Sequence, residues 1–190
     1  GGSIGSELCR QIVALGPASL AALERHENSL YAIGTELADA GHEHVVRTYL
    51  ADCTDASRMA SIFHHFRPEI VFHAAAHKHV PMVEVNPAEG FRNNVLSTRV
   101  LAETAARTGV DRFVLISTDK AVNPTNVMGA TKRVAELCIQ AARLKGSTAF
   151  CAVRFGNVLA SNGSVVPVGL KVEGFVFYPD FIANALGSFL

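Results

Sequence analysis

The chain has 190 residues, 49% of them apolar, with 17 basic residues against 17 acidic ones. That length allows one domain with a real core, and the apolar share argues against disorder and fits a soluble α/β protein. Balanced charge gives no reason to expect nucleic acid or an anionic membrane surface as partner, no apolar run approaches the roughly 20 residues of a membrane span, and Cys9, Cys53, Cys138 and Cys151 form no CxxC pair, so they read as reduced thiols of a cytosolic domain.

Helical and strand patterns alternate from the start, which predicts βαβ units and a parallel sheet. Glycines 1, 2 and 5 open a helix over Ser6 to Leu15. A strand follows at Ser19 to Leu23, although alanine favours strands little. Helix is predicted for Ser29 to Ala38 and strand for His44 to Leu50. Asp55 is placed to cap a helix running to Phe66. Glu69 to His73 is a strand, and Pro87 to Thr108 a long helix closed by Gly109. Arg112 to Ser117, "RFVLIS", is the clearest buried strand. Thr125 to Leu144 is helix and Ala149 to Phe155 strand. After Pro167 no period stands out. The chain lacks an initiator Met and opens inside a glycine turn with no strand before it, so it is expected to be a fragment.

The turn "GGSIGSEL" places Gly2, Ser3, Ile4 and Gly5 where backbone N–H groups and a helix N-terminus can hold a pyrophosphate. Tight glycine turns also precede helices that bind nothing. Two features favour the cofactor: the alternation that follows, and Glu24, which lies 19 residues beyond Gly5, close to the ~20 expected of a ribose-binding carboxylate. Arg25 follows Glu24. The carboxylate suits the ribose diol of NAD and the cation the 2′-phosphate of NADP, so both cofactors stay open. Asp52, after the next strand, suits the adenine edge or a turn.

"HAAAHKHVPMVE" holds His73, His77 and His79. A metal is not expected there, because no fourth ligand is in view. The small residues Ala74, Ala75 and Ala76 let backbone lie close to a flat cofactor at the strand edge. Lys78 and His79 can reach substrate phosphates or form an exposed basic loop.

In "RFVLISTDKAVNPTNVMGATKR" a buried strand delivers Thr118, Asp119 and Lys120 to its C-terminal end. Hydroxyl, carboxylate and ammonium together suit acid–base chemistry on a sugar. In the helix beyond, Met128 and Lys132 are four apart and share a face.

With "GGSIGSEL", "AAAHKHVP", "NNVLSTRVLAE", "STDKAVNPTNVMGATKR" and "RFGNVLASNGSVVP", the chain closely resembles the UDP-N-acetylglucosamine 4,6-dehydratases of the CapD-like polysaccharide-biosynthesis group, which are extended short-chain dehydrogenase/reductases. The likeness runs to about Pro167. It implies a Rossmann-like doubly wound parallel sheet, here truncated at the first strand and in the C-terminal substrate lobe. Residues 1–167 are expected to form an incomplete NAD(P)-binding dehydratase domain and 168–190 a divergent or truncated tail.

The implied reaction removes water from a UDP-sugar through a 4-keto intermediate, with transient reduction of bound NAD or NADP. The resemblance makes Asp119 the acid for the C6 hydroxyl, Lys120 the base for C5, and Thr118 the holder of the C4 oxygen. It gives Lys132 the nicotinamide ribose and places Met128 at the position where relatives carry tyrosine; large members of the family share that methionine. Asp119 then has to be protonated, which burial could arrange, and Lys120 neutral. Which group accepts the C4 proton stays open. Asn94 is expected to brace the backbone at the cofactor, Asn157 to contact sugar or diphosphate with Arg154 in support, and Lys78, His79 and Glu84 to place the substrate.

Ser97 and Ala160 stand where the family has glycine. The family's continuation after Pro167 is missing, so the chain is expected to be inactive or poorly folded. A cytoplasmic location is expected, with the parent anchored to the inner face of a bacterial membrane if it belongs to the large type. A homo-oligomer is left open.

Overall fold

Strands joined by helices in one direction must pair in parallel, and the backbone obeys this throughout. A computed structural model describes residues 1–156 of the chain. The strands are β1 (Leu20–Glu24), β2 (Val46–Leu50), β3 (Ile70–His73), β4 (Arg112–Thr118) and β5 (Ala149–Phe155). The α-helices are α1 (Ser3–Ala14), α2 (Glu27–Asp39), α3 (Ala56–Phe66), α4 (Val80–Val85), α5 (Pro87–Phe91), α6 (Ser97–Thr108) and α7 (Val127–Arg143).

β1 pairs with β2 from Leu20↔Val46 to Glu24↔Leu50. β4 pairs with β3 on one side and β5 on the other, all parallel. The single sheet expected from the sequence is therefore two, of two and three strands, because the described residues supply no strand that pairs with both β1 and β3. β4 shows the central position in its burial: Phe113, Val114 and Leu115 are fully covered, whereas β1 and β3 are mostly half-buried.

The main core gathers Met59, Ile62 and Phe63 of α3, Leu101 and Ala105 of α6, and Ala135 and Ile139 of α7 against Phe113 and Leu115 of β4. Each such side chain contributes about 1.5–3 kcal/mol through its removal from water. A smaller cluster joins Val13 of α1 and Ile33 and Leu37 of α2 to Leu20 and Val46 of the first sheet.

Local chemistry sets the ends. The Asp55 carboxylate accepts from Arg58 N at 2.9 Å and caps α3 as the sequence predicts. Gly109 takes the left-handed φ of +72° that ends α6. α7 starts at Val127, two residues later than predicted, because Asn126 Oδ1 accepts from Gly129 N and makes Asn126 the cap. α1 starts at Ser3, three residues early.

The long helix predicted from Pro87 is interrupted: Arg92–Leu96 is π-helical. There the Ser97 hydroxyl donates to the Asn93 carbonyl, and Thr98 Oγ1 to Asn94 O at 2.7 Å, so side chains take carbonyls that a regular helix would use. α4 was not predicted. The 168–190 tail and the boundary at Pro167 lie outside the described residues.

Candidate active site

Parallel strands put their C-terminal ends on one edge, where the following loops collect candidate side chains. At the first turn, Gly2, Ser3 and Ile4 lead into α1, and Ser6 N donates to Gly2 O at 2.9 Å. A Cβ at Gly2 or at Gly5 would meet no atom within 4 Å, so open space lies over this helix start. At the end of β1, Glu24 Oε1 accepts from Arg25 N at 2.8 Å and His26 N at 3.0 Å, and Oε2 from the Gly1 ammonium at 2.9 Å. Burial would push this carboxyl up, but those donors hold it below the usual carboxylate range. Asp52, Ala51 and Leu50 line a shallow depression with Arg25 and His26. Asp52 also closes its own turn, accepting from Thr54 N and Thr54 Oγ1, each at 2.8 Å.

After β3 the chain runs through Ala74, Ala75 and Ala76 without regular structure. Asn94 holds the next residue: its Oδ1 accepts from His77 N at 2.8 Å, and its Nδ2 donates to His77 O at 3.1 Å and Thr131 Oγ1 at 2.9 Å. It braces the loop, and the π-helical turn aims it there. Lys78 and His79 are exposed. Glu84 Oε2 accepts from Val127 N at 3.0 Å, which ties α4 to the first turn of α7. Buried His73 meets Thr98 Oγ1 at 3.0 Å, and burial followed by the charge of Lys132 pushes its pKa down to about 3. Among the described residues, no cluster of three His, Cys, Asp or Glu side chains is placed to hold a metal.

At the end of β4 the Thr118 hydroxyl donates to Asp119 Oδ1 at 2.9 Å. Lys120 reaches the same oxygen through its N at 2.8 Å and its Nζ at 3.3 Å. The Asp119 side chain is 57% exposed. The Thr118 bond, with Lys120, keeps its carboxyl below the usual range, so the fold does not supply the burial that was to protonate it. Desolvation acts instead on Lys132. That side chain is buried, donates from Nζ to Ile116 O at 2.6 Å, and has its pKa lowered to about 8, with Glu136 pulling the other way. Met128, one turn earlier, is also buried and carries no proton to exchange. Gly129 lets α7 close on this cluster: a Cβ there would sit 2.5 Å from the Lys120 carbonyl oxygen. Asn157 lies outside the described residues.

The polysaccharide biosynthesis protein family matches residues 1–171. The chain belongs to that family.

Among its relatives, the probable polysaccharide biosynthesis protein EpsC of Bacillus subtilis is 52% identical over 90% of this chain, and the capsular polysaccharide biosynthesis protein CapD of Staphylococcus aureus 51% over 88%. A UDP-N-acetylglucosamine 4,6-dehydratase (inverting) of Campylobacter jejuni is 36% identical over 72% of the chain. The chain spans 29%, 28% and 41% of those proteins. Among solved structures, Pen of Bacillus thuringiensis superposes with a TM-score of 0.79 at 32% identity, over 86% of this chain and 50% of that one. DesIV of Streptomyces venezuelae, a dTDP-glucose 4,6-dehydratase solved with NAD, superposes at 0.70 and 23% identity, over 80% of this chain and 52% of its own. These neighbours share the Rossmann-like α/β fold.

One residue of this family member escaped the sequence reading. Glu136, one turn beyond Lys132 on α7, is 2% exposed. It accepts from Ser117 Oγ at 2.6 Å, Arg154 Nε at 2.9 Å, Arg154 Nη2 at 2.7 Å and Arg133 Nη1 at 3.0 Å. Burial raises its pKa, but the Arg154, Ser117 and Arg133 donors outweigh that and hold it at about 2. The signal was the i, i+4 series Met128, Lys132, Glu136 beside a strand carrying Arg154.

Proposed function

We propose that these residues form the cofactor site and acid–base cluster of a nucleotide-sugar 4,6-dehydratase acting on UDP-N-acetylglucosamine-type substrates for a surface polysaccharide. Residues 1–167 are its NAD(P)-binding domain. The observation that carries this reading is the Thr118-Asp119-Lys120 cluster at the end of β4, beside buried Lys132 of α7. The Campylobacter relative and the NAD held by DesIV support it.

The chain's residues fit a dinucleotide. The open space over Gly2 and Gly5 leaves room for a pyrophosphate at the start of α1, Glu24 suits a ribose diol, and Asp52 and Ala51 lie where an adenine edge would rest. Ala74 to Ala76, braced through Asn94 and His77, would lie along the cofactor, and Lys132 would meet the nicotinamide ribose. When bound, the dinucleotide supplies the reversible oxidation that the 4-keto route requires.

The residues then have distinct tasks. Thr118 holds the C4 oxygen. Lys120 takes the C5 proton, Asp119 gives a proton to the C6 hydroxyl, and water leaves as the C5–H electron pair forms the C5=C6 bond. Asp119 is exposed in the free chain, so the sugar closing over it must raise its proton affinity. Lys132, already desolvated, is the amine best prepared to take the C4 hydroxyl proton. Lys78 and His79 guide the diphosphate, and Glu84 sets the start of α7.

Incubating the chain with NAD and UDP-N-acetylglucosamine, followed by mass spectrometry, tests the reading. A 4-keto-6-deoxy product lighter by one water supports it. A 4-epimer of unchanged mass would assign an epimerase instead, and no turnover with retained dinucleotide binding a non-catalytic nucleotide-binding fragment.

A further inference from the structure

Glu24 and Arg25 ask for different cofactors, and their side chains leave β1 in different directions. The Glu24 carboxylate stays at the strand end, fixed by the backbone amides of Arg25 and His26. It is 22% exposed and ionised. A ribose diol can donate to it, whereas a 2′-phosphate there would set like charges against each other in a partly desolvated place.

Besides the Gly1 ammonium on Glu24 Oε2, Arg25 is the side-chain cation that could offset that repulsion, and it is engaged elsewhere. Its Nη1 lies 3.7 Å from Glu89 Oε1 on α5, and its Nη2 3.3 Å from His77 Nε2. His77 Nε2 is itself 3.4 Å from Glu89 Oε1, so the three side chains meet at one point. His77 cannot drift, because Asn94 grips its backbone N and O. Asp52, which lines the depression together with Arg25, adds a second negative charge near the guanidinium. Two carboxylates, Glu89 and Asp52, thus act on one guanidinium.

We propose, building on the dinucleotide reading above, that this site selects NAD over NADP, and that Glu89 is a specificity-determining residue that acts through Arg25. By holding the guanidinium toward α5 with His77, Glu89 keeps it from serving a 2′-phosphate.

The test is a pair of dissociation constants, for NAD+ and NADP+, measured by calorimetry on the full chain at low and at physiological salt. NAD+ is expected to bind at least about tenfold tighter, the scale of one uncompensated charge contact. Glu89→Gln is expected to tighten NADP+ about threefold to fivefold, as fits release of a partly exposed ion pair, with NAD+ affinity unchanged. In Arg25→Ala that gain must vanish when Glu89→Gln is added. Glu89 is exposed, so folding of its variant is not at risk, and circular dichroism verifies this. Equal or tighter NADP+ binding by the unaltered chain, or no NADP+ response to Glu89→Gln, overturns the selectivity while leaving the dinucleotide site standing. If neither dinucleotide binds, the cofactor reading falls and the selectivity with it.

Discussion

Ser117 Oγ donates to Glu136 Oε1 at 2.6 Å, and through that bond the end of β4 is fastened to α7 just before the Thr118-Asp119-Lys120 cluster. The same carboxylate takes the fork of Arg154, so β4, β5 and α7 converge on one buried anion. Glu136→Ala removes it and strands the Ser117 hydroxyl in the core. Arg154 remains 39% exposed and can hydrate, which trims the loss, so the expected cost is about 2–4 kcal/mol by urea denaturation. The pH dependence has a definite sign. The folded pKa of Glu136, about 2, lies below its ordinary 4.5. Its contribution is therefore complete above about 4.5 and is lost as pH falls toward 2. Glu136→Gln should flatten the stability profile across that window.

Lys132 also makes stability rise with pH, at the other end of the scale, but as a group whose charge destabilises the fold. Its folded pKa of about 8 lies below the ordinary 10.5. The unfolded chain binds more protons between those values, so stability rises with pH from about 8 to 10.5. Below 8 the desolvated ammonium weighs on the fold in full. Lys132→Met, of similar length and apolar, is expected to raise stability at pH 7 by about 1–2 kcal/mol even without the bond to Ile116 O, and to abolish the rise above pH 8. Unfolding midpoints at pH 7 and 10 check both statements. A residue kept at a cost in stability is what a functional site leads one to expect.

Much of this architecture could be read from residue order. "RFVLIS" announced β4 because an unbroken apolar run suits a strand covered on both faces, and Asp55 and Gly109 marked helix ends through chemistry that is local. What failed was non-local. The π-helical turn at Arg92–Leu96 carries Asn94, whose partners His77 and Thr131 lie 17 and 37 positions away. α4 is too short to show a period. Glu136 was not singled out, since its donors Ser117 and Arg154 lie 19 and 18 positions off. The candidate residues were legible by type and spacing. Their electrostatics were not: burial was expected at Asp119 and falls on Lys132.

Two glycines separate backbone strain from close approach. Gly109 has φ +72° with open space where an added methyl group would stand, so Gly109→Ala carries only the conformational penalty, about 1 kcal/mol. At Gly129 the added Cβ would lie 2.5 Å from Lys120 O and 3.2 Å from Lys120 C, both backbone atoms that cannot rotate away. Gly129→Ala is expected to cost about 2–3 kcal/mol and to push the 119–121 turn off α7. Thermal unfolding gives the two costs, and amide exchange at Lys120 and Ala121 tells whether the turn has loosened in the second variant alone.

Asp119 offers the sharpest test of the chemistry. In the free chain its carboxylate receives the Thr118 hydroxyl and Lys120 N and Nζ, and it is exposed. Asp119→Asn keeps the shape and an oxygen that can accept from Thr118 and Lys120, but it cannot supply a proton to a leaving hydroxyl. Water loss from UDP-N-acetylglucosamine should fall by about a hundredfold or more, the usual scale for removing one general acid. NAD affinity should be unchanged, since the residues proposed to hold the cofactor lie on other elements. Oxidation at C4 does not need this carboxyl, so reduced cofactor should accumulate and absorb in the near ultraviolet when substrate is added. Turnover at the unaltered rate would remove Asp119 from the reaction. Loss of the absorbance signal together with turnover would move its role to sugar binding.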